Sequence, residues 1–180
     1  MSVRDDLKAS YDELTPLFEE MQNASDRVAA ISCAAWVDDS LGAVLSKCFV
    51  EMGADWNNRI FNNATAPLNS LSSKITLGYA MGLFGPLTCA DLNIIRSVRN
   101  DFAHRAAPIS FSEAEIAEKC KKLTSPFRMS AGITGAIPTT PPPEPKRLYI
   151  RASQRISFDL IGWSRANQPP RPSFPADILP

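Results

Sequence analysis

The sequence predicts an all-α fold of five or six helices. Two observations carry this. Apolar residues recur at three- and four-residue steps in one segment after another. Helix caps and breakers fall between those segments: Ser25, Gly53, Gly85-Pro86, Pro108 and Ser112. A hydrophobic content of 44% is enough to build a core.

The first segment, Asp5 to Met21, carries Leu7, Tyr11, Leu14, Phe18 and Met21 on one helical face, with Pro16 as a point of restart. The second opens at Ser25, where Ser25 or Asp26 can cap, and runs Ala-rich to about Met52, with Gly53 as its stop. It is apolar nearly all round from Val28 to Val37, which predicts a central buried helix. Residues 54–70 are Asn-rich and read as an irregular loop closing at Pro67.

A third helix is expected over Leu71–Leu83, with Ile75, Tyr79 and Leu83 in register, and a fourth over Leu87–Arg105. A fifth is expected over Glu113–Leu123, where Ser112 and Glu115 have capping-box spacing. Tyr149, Ala152, Ile156, Leu160 and Trp163 step as a helix would. Leu148, Ile150 and Ala152 alternate as a strand would; the helical spacing runs longer, so a helix near 147–165 is expected.

Composition divides the chain near residue 124. Residues 1–123 carry 12 Lys+Arg against 16 Asp+Glu, whereas 124–180 carry 7 against 3 and hold 11 of the 15 prolines. The expected organisation is a helical domain over 1–123 and a Pro-rich basic tail over 124–180. PPPEP in that tail reads as a linker or a polyproline ligand. Zero net charge argues against a broadly basic nucleic-acid sleeve. One His and four scattered Cys, with no Cys-x-x-Cys, exclude most zinc sites, and neither a metal nor a cofactor is expected. Asp38-Asp39 reads as a polar break pairing with an Arg rather than as a metal pair. No Gly-rich phosphate loop and no Gly-x-Ser-x-Gly elbow occur. The N-terminus lacks an apolar signal region, and Val28–Val37 is too short to cross a bilayer, so a cytoplasmic protein with no membrane contact is expected.

One segment carries chemistry. On a helix at ~100° per residue, Asn93 to Arg105 places Ile94, Ile95, Val98 and Phe102 on one arc and Arg96, Arg99, Asn100 and His104 on the other. Arg offers forked donors to anions, and His exchanges protons near neutral pH. Together they suit anion binding or metal-free RNA cleavage, in which a base activates a 2′-hydroxyl and an Arg stabilises charge on the phosphate. The plainer role is that the arginines are solvated and His104 and Asn100 hydrogen-bond the helix end. Arg99 and His104 diverge by ~140° on one helix, so joint action requires two chains facing each other. Asp26 and Arg27 would join this face if the second and fourth helices pack together; otherwise Asp26 caps and Arg27 is exposed.

Arg99-Asn100-Asp101-Phe102-Ala103-His104 matches the Arg-polar-x-x-x-His signature of HEPN domains. A wider set of pieces resembles the mannitol operon repressors. These are Ser25-Asp26-Arg27, Asp38-Asp39-Ser40-Leu41, Ala66-Pro67-Leu68 and Ser73-Lys74-Ile75. They continue through Tyr79 to Leu83, Ile95 to His104, Ile109-Ser110-Phe111 and Ile116-Ala117, so the resemblance covers about 22–123. It implies an HEPN-like bundle, a homodimer, and a repressor-type transcriptional regulator that works through a protein partner without a DNA-reading module. The HEPN signature implies an alternative, a metal-independent endoribonuclease acting on RNA. There Arg99 and His104 are catalytic, Asn100 is the polar second position, and Arg96, Asp26 and Arg27 form the surrounding ligand or interface face.

Overall fold

Ser25 opens the central helix as expected. Its hydroxyl accepts the Val28 N–H at 3.3 Å, and α2 runs Asp26–Lys47. The computed structural model describes residues 15–51, 53–127 and 144–166, without the side chains of 163–166. Expectations for 5–14, for the proline stretch 128–143, for Trp163 and for 167–180 lie outside these residues.

Seven α-helices, and no strand, occur among the described residues. They are α1 (15–23), α2, α3 (Ala54–Asn57), α4 (Leu71–Ala80), α5 (Pro86–His104), α6 (Ala114–Lys121) and α7 (Pro145–Ala166). The fold is all-α.

Helix α2 ends at Lys47, five residues before Met52. Beyond it Phe49 turns back to meet Phe61, ring centroids 6.0 Å apart. The Asn-rich segment is not an irregular loop throughout: α3 passes into a turn of π-helix, Asn58–Asn62. Arg59 stacks over Trp56 at 5.0 Å, and Asn62 Nδ2 donates to Asn58 Oδ1 at 2.9 Å. These contacts are local and one turn apart, and they offset the poor helix propensity of Asn.

Helix α4 stops at Ala80 rather than Leu83, because Gly82 adopts φ +71°. The Leu83 N–H reaches the Gly78 carbonyl and the Gly82 N–H reaches that of Tyr79, both at 3.0 Å. That pair of bonds is a Schellman stop, which needs glycine at its left-handed position. Pro86 is the first residue of α5, where its missing N–H costs nothing. The capping box expected at α6 does not form. Glu113 occupies the cap position, Glu113 Oε1 accepts the Ser110 N–H, and Glu115 pairs with Arg105 instead.

Helix α2 is the hub. It packs against α4, α5 and, most extensively, α7. Ala30, Cys33, Val37, Leu41 and Leu45 of α2 join Leu92, Ile95, Val98 and Phe102 of α5 in one core with Tyr149, Ile150, Ala152 and Ile156 of α7. Tyr149 is fully buried, and its hydroxyl lies 2.9 Å from the Ala30 carbonyl and 3.3 Å from that of Ile95, tying α7 to both neighbours. By length and composition α2 could cross a membrane, with a window of mean hydropathy 1.5, a longer apolar run than Val28–Val37; half that window is buried by the bundle.

Candidate functional site

Helix α5 divides its two faces as its pattern requires. Ile95, Val98 and Phe102 are wholly buried, and Ile94 is partly buried against the same core. Opposite them, Arg99 and His104 are exposed, and Arg96 and Asn100 are half-buried.

Arg96, Arg99 and Asn100 line a cleft of about 430 Å³. Ile31, Ala34, Ala35 and Asp38 of α2 form its second wall. Asn69 to Ser72, at the start of α4, form the third. Local sequence explains that third wall: the Ser70 hydroxyl accepts the Ser73 N–H at 3.1 Å and caps α4. Nothing in the reading of the sequence pointed to this helix start as part of a site. The Ser70-x-x-Ser73 spacing after Pro67 was the available signal.

The electrostatics of the cleft are one-sided. Asp38 pairs with Lys74 at 2.8 Å, not with an arginine as expected, and Lys74 is only 7% exposed. The pair neutralises the one acidic wall residue and leaves Asp38 engaged rather than open to a metal with Asp39. Arg99 Nη1 donates to Asn100 Oδ1 at 3.0 Å. Arg96 Nη2 reaches Asn93 Oδ1 at 3.4 Å, a long contact, while its buried Nε has no acceptor among the described residues. Neither arginine pairs with a carboxylate among the described residues.

His104 is not part of the cleft lining. It closes α5, exposed and without a hydrogen bond among the described residues, so it does not anchor the helix end as its position suggested. That task falls to Asp26 and Arg27. The packing of α2 against α5 that would bring them beside His104 does occur. Arg27 Nη2 donates to the carbonyls of Arg105 at 2.7 Å and Ala107 at 3.2 Å. Asp26 Oδ2 accepts the Ser110 hydroxyl at 2.9 Å and the Phe111 N–H at 3.0 Å, and Lys146 of α7 approaches Oδ1 at 3.3 Å. Burial pushes the Asp26 carboxyl up, but the Phe111 N–H, the Ser110 hydroxyl and Lys146 together outweigh burial and hold it below the usual carboxylate range.

Two further groups went unrecognised in the sequence. Asp91 is fully buried in α5 and accepts the N–H groups of Thr124 and Ser125, at 3.0 and 2.6 Å, at the start of the Ser125–Phe127 turn. Tyr149 locks α7. Both are structural. The thiols of Cys33 and Cys120 are buried, which pushes each up to about 12, in keeping with small core residues.

No family model, curated protein or solved structure matches the chain. The geometry of α5 and its surroundings therefore carries the functional argument.

Proposed function

We propose that the chain is a repressor-type regulator of the mannitol operon repressor kind: an HEPN-like bundle, paired with a second copy, that acts in the cytoplasm through a protein partner without reading DNA itself. The observation that carries this reading is the separation of the signature residues. Arg99 belongs to the cleft with Arg96 and Asn100, whereas His104 lies outside its lining at the end of α5. Within one chain the guanidinium and the imidazole address different volumes, so a cutting site would need a second chain to bring them together, whereas the regulatory reading needs no such juxtaposition. Asp26 and Arg27 are engaged in holding the chain that follows α5. What α2 leaves outside is adhesive: Val28 and Ile31 are 48% and 38% exposed, and they share a stripe with exposed Ala35 beside the arginines. Arginine is enriched at protein interfaces, and the exposed Val28 and Ile31 beside it give a partner apolar surface to cover.

The test is a gel shift at physiological salt. The protein retards no specific DNA fragment, because a regulator of this kind works through a protein partner and the chain has zero net charge. Sequence-specific retardation at that salt would overturn the reading.

One observation favours the alternative, a metal-independent endoribonuclease using Arg99, His104 and Asn100. The His104 ring is exposed and unbonded among the described residues, so it is accessible to a bound RNA. EDTA-resistant cleavage of a structured RNA, lost in both Arg99→Ala and His104→Ala without change in circular dichroism, would replace the repressor reading with this one.

A further inference from the structure

The cleft between α2, α4 and α5 shares Arg99 and Asn100 with the ribonuclease reading and Ile31 and Ala35 with the regulatory one, and its charge adds a further chemistry. Its volume of about 430 Å³ falls within the range of small-ligand pockets. Two guanidinium groups, from Arg96 and Arg99, line it without a carboxylate partner among the described residues. The only acidic side chain in the wall, Asp38, is ion-paired with Lys74 at 2.8 Å, although the same Oδ1 accepts no well-aligned hydrogen bond among the described residues. The cleft is therefore a local surplus of about two positive charges in a protein of zero net charge.

Arg96, half-buried in the cleft wall, is incompletely paired within the chain. Its Nε is buried with no acceptor among the described residues. A buried donor on a charged group is expensive to leave unmade, and here it belongs to a residue that lines the cleft. The start of α4 faces the same space. Ser70 caps the Ser73 N–H, but the N–H groups of Leu71 and Ser72, both residues of the lining, have no intrahelical partner and stand at the positive end of the helix. Asn69 and Asn100 add neutral polar groups to the lining.

We propose that this cleft binds the phosphate group of a small phosphate monoester. A dianion matches the charge surplus, and its three terminal oxygens suit two forked guanidinium groups together with the backbone donors. The apolar wall of Ile31, Ala34 and Ala35 then takes the body of the ligand. A nucleic-acid phosphodiester carries only one charge, which matches the surplus of about two positive charges less well than a dianion does. The proposal goes beyond the regulatory reading and does not depend on it.

The experiment is titration of the full chain with inorganic phosphate by calorimetry and by amide chemical-shift mapping, at constant ionic strength against chloride. Saturable binding is expected, with the largest shifts at the Leu71 and Ser72 amides. Arg96→Gln and Arg99→Gln should each weaken it at least about tenfold, and the remote Arg59→Gln should leave it unchanged. Arg99 is exposed, so Arg99→Gln keeps the test valid even if Arg96→Gln perturbs the fold. Absence of saturation, or binding that neither cleft variant weakens, would overturn the proposal. So would a short oligoribonucleotide that binds more tightly than phosphate and is lost in the same two variants, since the site would then be one for RNA backbone. The gel-shift result for DNA is unaffected by any of these outcomes.

Discussion

Arg27 holds the end of α5 by its backbone: Nη2 donates to the carbonyl oxygen of Arg105 at 2.7 Å, across 78 residues of sequence. The last carbonyls of a helix lack intrahelical donors and carry partial negative charge, so a guanidinium there satisfies both needs. Arg27→Ala should destabilise the protein by about 1–2 kcal/mol. Urea unfolding measures the loss, and amide exchange should quicken between 105 and 111. Unchanged stability would show that solvent replaces the contact fully.

Asp26 makes stability depend on acid. Its carboxyl is held below the ordinary value of 3.8, so its ionised form favours the folded state. That contribution is complete above the ordinary value and is lost as pH falls through the lowered one. Asp26→Asn should therefore be less stable than wild type at neutral pH, with the gap closing below about pH 3.8. Thermal melts of both proteins from pH 7 to pH 2.5 test this, and a gap that widens in acid would contradict it.

His104→Ala should change stability by no more than about 0.5 kcal/mol, as for an exposed substitution away from any bonded network. Its thermal melt should overlay that of wild type, while Arg27→Ala falls clearly below. A large loss in His104→Ala would mean that the ring holds the helix end after all.

Gly82→Ala should cost about 1 kcal/mol, because an L side chain is strained at φ +71° although the space around it is open. At Gly78 the obstacle is different: a Cβ there would lie 2.7 Å from the Phe84 ring. Gly78→Ala should displace that ring and alter its aromatic proton shifts, whereas Gly82→Ala should leave them in place.

Cys33 and Cys120 should resist iodoacetamide in the native protein at pH 8. Burial pushes both thiols up to about 12, so the reactive thiolate is scarce and sheltered. Mass spectrometry after denaturation should reveal them as newly labelled. Rapid native labelling of either would place it at the surface.

The C-terminal half of α5 was legible in sequence, because a helix with one apolar face obeys a fixed angular step, whereas buried Asp91 near its start was not. Val98 and Phe102 went inward and Arg96 and Arg99 outward on that rule alone. The Ser25 cap and the Pro86 start were readable for the same reason: each concerns backbone groups within one turn. The Ser112–Glu115 box was equally local in its signal, yet it failed. Arg105, the C-cap of α5 ten residues upstream, draws Glu115 away at 2.9 Å.

The sequence by itself therefore determined the longer helices, their buried faces and the cationic stripe, though not α3 or the ends of α2 and α4, since those longer features follow from short-range periodicity. Tertiary structure alone decided which side chains meet. It set Asp26 against Phe111, Lys74 against Asp38, and Tyr149 between Ala30 and Ile95. It also brought the start of α4 to the arginines and left His104 outside their cleft. The physical reason is that a helical repeat fixes direction about one axis only, whereas a cleft depends on how three axes pack. That packing is governed by the volumes of residues far apart in the chain.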